Sequence, residues 1–157
     1  MAILAQVPLR TTLFARDRNV SQYWAFWLTQ LRSRLNLCPE RIGIVSLTAQ
    51  SAAITATAVS TPVLHTGLYR ISSYIRITTA ATTSSSATWT VGWTDRSVSC
   101  SESGAAITGN TTTATQSGSR LVQVDTDTTV TYAVAYASTG ATAMQYALDI
   151  TVEEIRP

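Results

Sequence analysis

Lysine is absent from this chain of 157 residues, and charged residues of both signs make up only 13% of it. Soluble domains usually carry about 25% charged residues, and disordered chains are usually rich in charge and poor in β-branched residues. Polarity comes instead from hydroxyl groups, because 27 Thr and 17 Ser account for 44 of the 157 residues. Since Thr is β-branched and the apolar fraction is 45%, the composition predicts a folded, mainly β protein.

The little charge that is present is unevenly distributed. The net charge is +2, but residues 1–41 carry six Arg against two acids, and the remainder carries five Arg against seven acids. The basic segment is aromatic rather than a run of cations, so we do not expect a nucleic acid as partner. The exclusive use of Arg suits a protein that contacts other proteins, or reflects a GC-rich genome.

Residues that could carry catalysis or hold a metal are few and poorly arranged. His65 is the only histidine, and no nucleophile motif lies near it. Asp125 and Asp127 flank a turn but lack the density of oxygen ligands found in calcium loops. Glu153 and Glu154 are adjacent, so on a strand they point to opposite faces. We therefore expect no enzyme activity, no metal site and no cofactor.

The two cysteines, Cys38 and Cys100, match no zinc or redox spacing, and we expect two buried free thiols rather than a disulfide. The opening MAILAQVPLR lacks the charged and apolar regions of a signal peptide. The longest apolar runs are only a few residues, so no membrane insertion is expected. These features predict a cytoplasmic origin.

One strong helical signal lies near the N-terminus. Asn19 or Ser21 can cap the first turn, and Asn36 and Pro39 stop the helix, which predicts a helix over about residues 20–36. The spacing of its apolar residues forms one stripe, made of Val20, Trp24, Trp27, Leu28, Leu31 and Leu35 and widened by Tyr23 and Phe26.

This apolar stripe needs a surface to cover it. Burying two Trp and three Leu would contribute about 2 kcal/mol each, on the order of 10 kcal/mol in total. The covering surface is either the protein's own sheet or another chain, through helix packing in an oligomer or docking into a larger assembly. Residues 1–41 are therefore predicted to be an extended arm followed by an amphipathic docking helix.

From Ile42 onward the pattern changes to short strands. In the clearest one, Gly67–Thr79, one alternating set faces a core, namely Tyr69, Ile71, Ser73, Ile75 and Ile77. Eight or nine strands at spacings of about 8–14 residues, with no helix between them, predict an antiparallel β-sandwich or jelly roll over residues 42–157. The predicted long loops are Thr79–Ser86 and Glu102–Ser119, with residues 111–119 flexible.

Two tryptophans in a predicted strand have two interpretations. Trp89 and Trp93 share one face with Val91, an arrangement typical of a core. If they were exposed, the two indoles could stack on sugar rings. They are therefore the candidates to face a ligand.

Two parts of the sequence resemble known virion proteins. The segment PLRTT (residues 8–12), followed by NVSQYWAFWLTQL (residues 19–31), resembles the opening of small virion proteins of tailed bacteriophages. There a Pro/Thr arm leads into a short helix of pattern V-S-x-x-W-x-x-F/W-L-x-x-L. The segments GLYRI (67–71), WTVGW (89–93) and YALDI (146–150) are similar in rhythm to trimeric C1q/TNF-like jelly rolls of phage fibres and decoration proteins.

The resemblance implies a virion structural protein of the decoration, head-fibre or neck type. Its arm and helix would attach a projecting or clamping β head to the capsid, the portal or neck, or the tail. Such heads are commonly trimers, so the helix stripe would be a docking or oligomer interface. The alternative that it implies is a receptor- or glycan-binding module of a tail or head fibre, with a host surface glycan as partner.

Overall fold

The structure is a computed structural model that describes residues 24–31 and 39–155. From Pro39 onward the chain forms one compact unit, and the helical residues 24–31 belong to a separate unit. Within residues 39–155 there are nine β-strands, which are β1 (Glu40–Gln50), β2 (Ile54–Ala58), β3 (Gly67–Thr79), β4 (Ser84–Asp95), β5 (Val98–Ser103), β6 (Ile107–Thr108), β7 (Thr115–Val124), β8 (Thr131–Thr139) and β9 (Gln145–Ile155).

The nine strands form two antiparallel sheets. One has the order β1-β9-β3-β7, and the other has the order β2-β8-β4-β5, with β6 pairing along β4. Each of the first four strands pairs with a strand from the second half of the chain, and the partners run in reverse order: β1 with β9, β2 with β8, β3 with β7 and β4 with β5. The chain is thus a long antiparallel ribbon folded over on itself, which is a jelly roll. The predicted mainly β architecture is confirmed.

The core lies between the two sheets, where strand alternation places apolar side chains from both inner faces. The predicted inward set of β3 is buried, including the polar Ser73. Strand β9 lies in the middle of its sheet, between β1 and β3, and contributes four side chains with no exposed area, Tyr146, Leu148, Ile150 and Val152. Central strands of this kind account for most of the apolar burial that stabilises the domain.

Three tyrosines in or beside the core donate their hydroxyl hydrogen bonds to backbone carbonyls. The Tyr146 hydroxyl donates to the Ala52 carbonyl at 2.8 Å, and the Tyr136 hydroxyl donates to the Met144 carbonyl at 2.7 Å. The Tyr69 hydroxyl donates to a third carbonyl in the same way. Each bond avoids the cost of leaving a shielded hydroxyl unpaired.

Both predicted long loops contain strand residues, so these predictions were partly wrong. Strand β4 begins inside the predicted loop Thr79–Ser86, and β6 and the first half of β7 lie inside Glu102–Ser119. From Thr115 onward the segment expected to be flexible pairs residue by residue with β3. The Thr, Ser and Gly residues of this segment show little apolar alternation, so the sequence did not indicate a strand. The segment is nevertheless a strand because its backbone forms hydrogen bonds with β3.

Two glycines make room for Trp89 in the core. A Cβ atom at Gly104 would lie 2.5 Å from Trp89 Nε1, and one at Gly118 would lie 2.9 Å from Trp89 Cζ2. Carbon contacts are normally about 3.5–4.0 Å, so neither position accommodates a side chain unless the indole moves. Gly118, in β7 of the opposite sheet, and Gly104, just after β5, therefore let the backbone approach the indole closely.

None of the described helical residues forms a segment long and apolar enough to cross a membrane.

Candidate functional site

The first candidate site is the apolar face of the helical residues 24–31. Four of the seven predicted docking residues lie in this segment, Trp24, Trp27, Leu28 and Leu31, and the other three, Val20, Tyr23 and Leu35, lie outside the described residues. The rings of Trp24 and Trp27 meet edge to face, with centroids 5.6 Å apart and an interplanar angle of 81°. This arrangement is favoured for aromatic pairs and fixes the two indoles relative to each other.

Apolar side chains of this segment are open to solvent. Phe26 is 64% exposed and Leu28 is 53% exposed, although both are large and apolar. The polar Thr29 bonds locally, because its hydroxyl donates to the Ala25 carbonyl at 2.7 Å. Exposed apolar groups of this size on one short helix are suited to contact with another protein.

The second candidate site is a cleft at one end of the jelly roll, with a volume of about 360 Å³. It lies where β4, β5 and the start of β8 meet the turn that follows β7. The cleft is lined by eight residues, most of them small or hydroxyl-bearing, Gly92, Trp93, Thr94, Ser99, Asp127, Thr128, Thr129 and Thr131. The volume lies within the range of small-molecule binding sites.

Backbone hydrogen bonds hold the turn against the sheet. The Asp125 amide donates to the Thr94 carbonyl at 2.9 Å, and the Asp125 carboxylate accepts from the Ser97 amide at 2.7 Å. The Asp127 amide donates to the Val63 carbonyl at 2.8 Å, with Asp127 in the left-handed region at a φ of 60°. Aspartate tolerates this conformation better than most residues, so the sequence suits the turn that brings Asp127 to the cleft.

The two tryptophans singled out from the sequence lie in different environments. Trp89 is only 4% exposed and belongs to the core, so it offers no platform to a ligand. Trp93 is half-buried, packs partly against the core and lines the cleft. The sequence pattern indicated Trp93 but not Ser99 or Asp127. Asp127 was indicated only as a turn residue, and Ser99 reaches the cleft because it pairs with Thr94, which the alternation within one strand does not report.

The other candidates from the sequence are dispersed. His65 is exposed, with Nδ1 3.6 Å from Glu154 Oε1. Glu153 accepts from Arg70 Nε at 2.8 Å in a surface ion pair. Cys100 is a free thiol and half-buried rather than fully buried, because β5 lies at a sheet edge; Cys38 lies outside the described residues. In the part of the chain that the structure describes, no group of three metal-ligating side chains converges.

Comparisons with known proteins give structural likeness only. No family model matches the chain, and no curated protein matches its sequence. Among solved structures, the PRD1 vertex protein P5 is similar with a TM-score of 0.46 and 14% identity, covering 76% of this chain and 99% of that one. The Eiger TNF from S. frugiperda has a TM-score of 0.37 and 11% identity, covering 74% and 90%.

A two-module Clostridium thermocellum xylanase complexed with xylohexaose has a TM-score of 0.33 and 11% identity, covering 75% of this chain and 28% of that one. These scores and identities are too low to assign a function. The jelly-roll assignment rests on the strand order of the protein itself.

Proposed function

We propose that the chain is a structural protein of a bacteriophage virion, in which the N-terminal arm and helix attach a jelly-roll head to the capsid, neck or tail. The observation that carries the proposal is the exposed apolar surface of the helical residues, where Phe26 and Leu28 are 64% and 53% exposed. Such side chains gain free energy when a partner removes them from water. The resemblance of residues 8–12 and 19–31 to the opening of phage virion proteins names the class of partner.

The composition of the head suits a structural role. Only 13% of all residues are charged, and the outward positions of β4, β5 and β8 are small residues, as in the pairs Thr90–Ser103 and Thr88–Ala135. Hydroxyls on this face bond each other, since Thr90 Oγ1 lies 2.7 Å from Ser103 Oγ. A head of this type is a stable projecting unit and needs no catalytic group. We further propose that it assembles as a trimer, like the heads that it resembles.

The test uses full-length variants rather than a truncated chain. We expect Leu28→Glu combined with Leu31→Glu, two positions of the apolar stripe one turn apart, to abolish incorporation into particles, because each carboxylate would have to be buried unpaired in the contact. Particles would be purified from a host in which the variant replaces the normal protein, and its copy number would be measured by mass spectrometry.

The control is Gln30→Glu, which adds a negative charge to an exposed position of the same helical segment. We expect the control to be incorporated normally. Full incorporation of the double variant would refute the anchor. Light scattering on the purified full chain tests the trimer separately, and a monomer would refute that part alone.

A further inference from the structure

The two sheets of the jelly roll present different outer faces. The outward positions of β4, β5 and β8 are Ser, Thr, Ala and Gly. The outer face of the other sheet, β1-β9-β3-β7, carries large apolar side chains with exposed fractions between 39% and 60%, namely Ile44, Leu68, Tyr74 and Leu121. We propose that this outer face, called the β3 face, binds a second copy of the chain. The proposal deepens the trimer proposed above and rests on it, but it does not depend on attachment to a virion.

Strand alternation and register place the apolar side chains on this face. Leu68 and Tyr74 alternate with the buried inward set of β3, so they point away from the core. Leu121 pairs with Arg70, which puts it diagonally beside Leu68. Exposed apolar groups are therefore concentrated on one side of the head, and they gain free energy when a partner removes them from water.

The centre of the β3 face is low enough for a partner to lie across it. One row of paired residues crosses all four strands, Ile44, Thr151, Ser72 and Ser119. Three of these four side chains are small and carry a hydroxyl. Ser72 Oγ and Ser119 Oγ lie 3.2 Å apart and bond each other, which reduces the cost of removing them from water.

Arginine is concentrated on the same face. Of the five Arg among residues 39–155, three lie on the β3 face with two acids, namely Arg41, Arg70, Arg76, Asp149 and Glu153. The other charged residues of this range are two Arg and six acids, of which only Glu154 is buried. The β3 face of one copy is thus complementary in charge to the remaining surface of another. A contact between two different surfaces of identical chains can close a ring, as a trimer requires.

Arg76 is the side chain best placed to form such a contact. It is exposed, and it forms no ion pair with any residue that the structure describes. Arg70, by contrast, already pairs with Glu153. The planar guanidinium of Arg76 can therefore bind a carboxylate of the neighbouring copy.

The β3 face has the size of a stable protein interface. With strands about 4.8 Å apart and a rise of about 3.3 Å per residue, four strands over the length Leu68 to Thr79 cover roughly 750 Å². A standard interface buries about 800 Å² on each partner. The face is therefore large enough to hold two copies together.

The test is sedimentation equilibrium of the full chain over a range of protein concentrations. We expect the normal chain to be an oligomer. Leu68→Glu should raise its dissociation constant by about 100-fold or more, because a carboxylate would be buried without a partner. Arg76→Glu should raise it by about tenfold or more, because the neighbour's acid would meet another acid. The control, Ser101→Glu, adds a carboxylate at an exposed outward position of the other sheet and should change the constant less than about twofold.

The outcomes separate this contact from the trimer itself. A normal chain that is monomeric at every concentration would overturn both. An oligomer that Leu68→Glu and Arg76→Glu leave intact, or that Ser101→Glu dissociates equally, would overturn the β3 face alone. A monomeric chain whose incorporation into particles is lost in Leu68→Glu would make another protein the occupant, which also overturns the contact between copies. Circular dichroism checks the fold of each variant, and if Leu68→Glu does not fold, Arg76→Glu decides.

Discussion

Replacing Gly104 by alanine should destabilise the jelly roll through a clash with Trp89. A Cβ atom at this position would lie 2.5 Å from Trp89 Nε1, 2.6 Å from Trp89 Cε2 and 2.5 Å from Gln116 Oε1. These distances are about 1 Å shorter than ordinary contacts. The indole is a rigid ring with 4% exposure, so it has little room to move aside. Overpacking of this kind costs about 1–3 kcal/mol.

The control for this prediction is Gly67→Ala, because the nearest atom to a Cβ there is Tyr69 Cε2 at 3.9 Å, an ordinary contact. Neither glycine has a positive φ, so backbone strain does not distinguish them. In urea unfolding of the full chain, with m of about 2 kcal/mol/M, a loss of about 2 kcal/mol moves the midpoint by about 1 M. The control should leave the midpoint nearly unchanged.

A double-mutant cycle identifies the cause. If the clash is with the indole, Gly104→Ala should cost less in a Trp89→Phe background than in the normal chain, since the smaller ring leaves space for the methyl group. Equal midpoints for Gly104→Ala and Gly67→Ala, or an unchanged cost in the Trp89→Phe background, would refute the packing argument.

Three further predictions concern the core and the surface. Ile75→Ala should cost about 2–5 kcal/mol and Leu121→Ala, at 60% exposure, less than about 0.5 kcal/mol, compared by urea unfolding. Burial first, and nearby tyrosines second, raise the pKa of Tyr146 from 10.0 to about 12. The free energy of unfolding should therefore be constant below pH 10 and fall between pH 10 and 12, because the unfolded state ionises first. In urea unfolding at these pH values Tyr146→Phe should lessen the fall, and an unchanged fall would contradict this. Arg70→Gln should cost less than about 1 kcal/mol, because its pair with Glu153 is on the surface; a larger loss on thermal unfolding would contradict this.

The fold could be predicted largely because apolar alternation was strong where strands are central. In β3 every second residue from Tyr69 to Ile77 is buried, and this pattern alone identified the strand and its inward face. Edge strands gave a weaker signal. Residues 115–119 of β7 pair with β3, but their composition of Thr, Gln, Ser and Gly carries almost no apolar period.

The cleft could not be predicted as a unit. The sequence indicates Trp93 because it shares a strand face with Trp89. The two tryptophans differ in burial because different parts of the fold pack around them. Trp89 lies against Gly104 and Gly118 in the middle of the sandwich, whereas Trp93 lies near the end of β4, beside the turn that contains Asp127. The position of this turn beside β4 depends on the hydrogen bond from the Asp125 amide to the Thr94 carbonyl. Such a contact between distant parts of the sequence cannot be predicted from the pattern within one strand.

The position of β9 has a consequence for the order in which the protein can be made. Strand β9 is the last of the described strands, but it lies between β1 and β3 and supplies much of the buried core. The ribosome therefore releases β1 and β3 long before the strand that joins them exists, and the β1–β9 and β3–β9 pairings wait for it. Chains that end before β9 lack the strand between β1 and β3, so they cannot form this sheet in its native order.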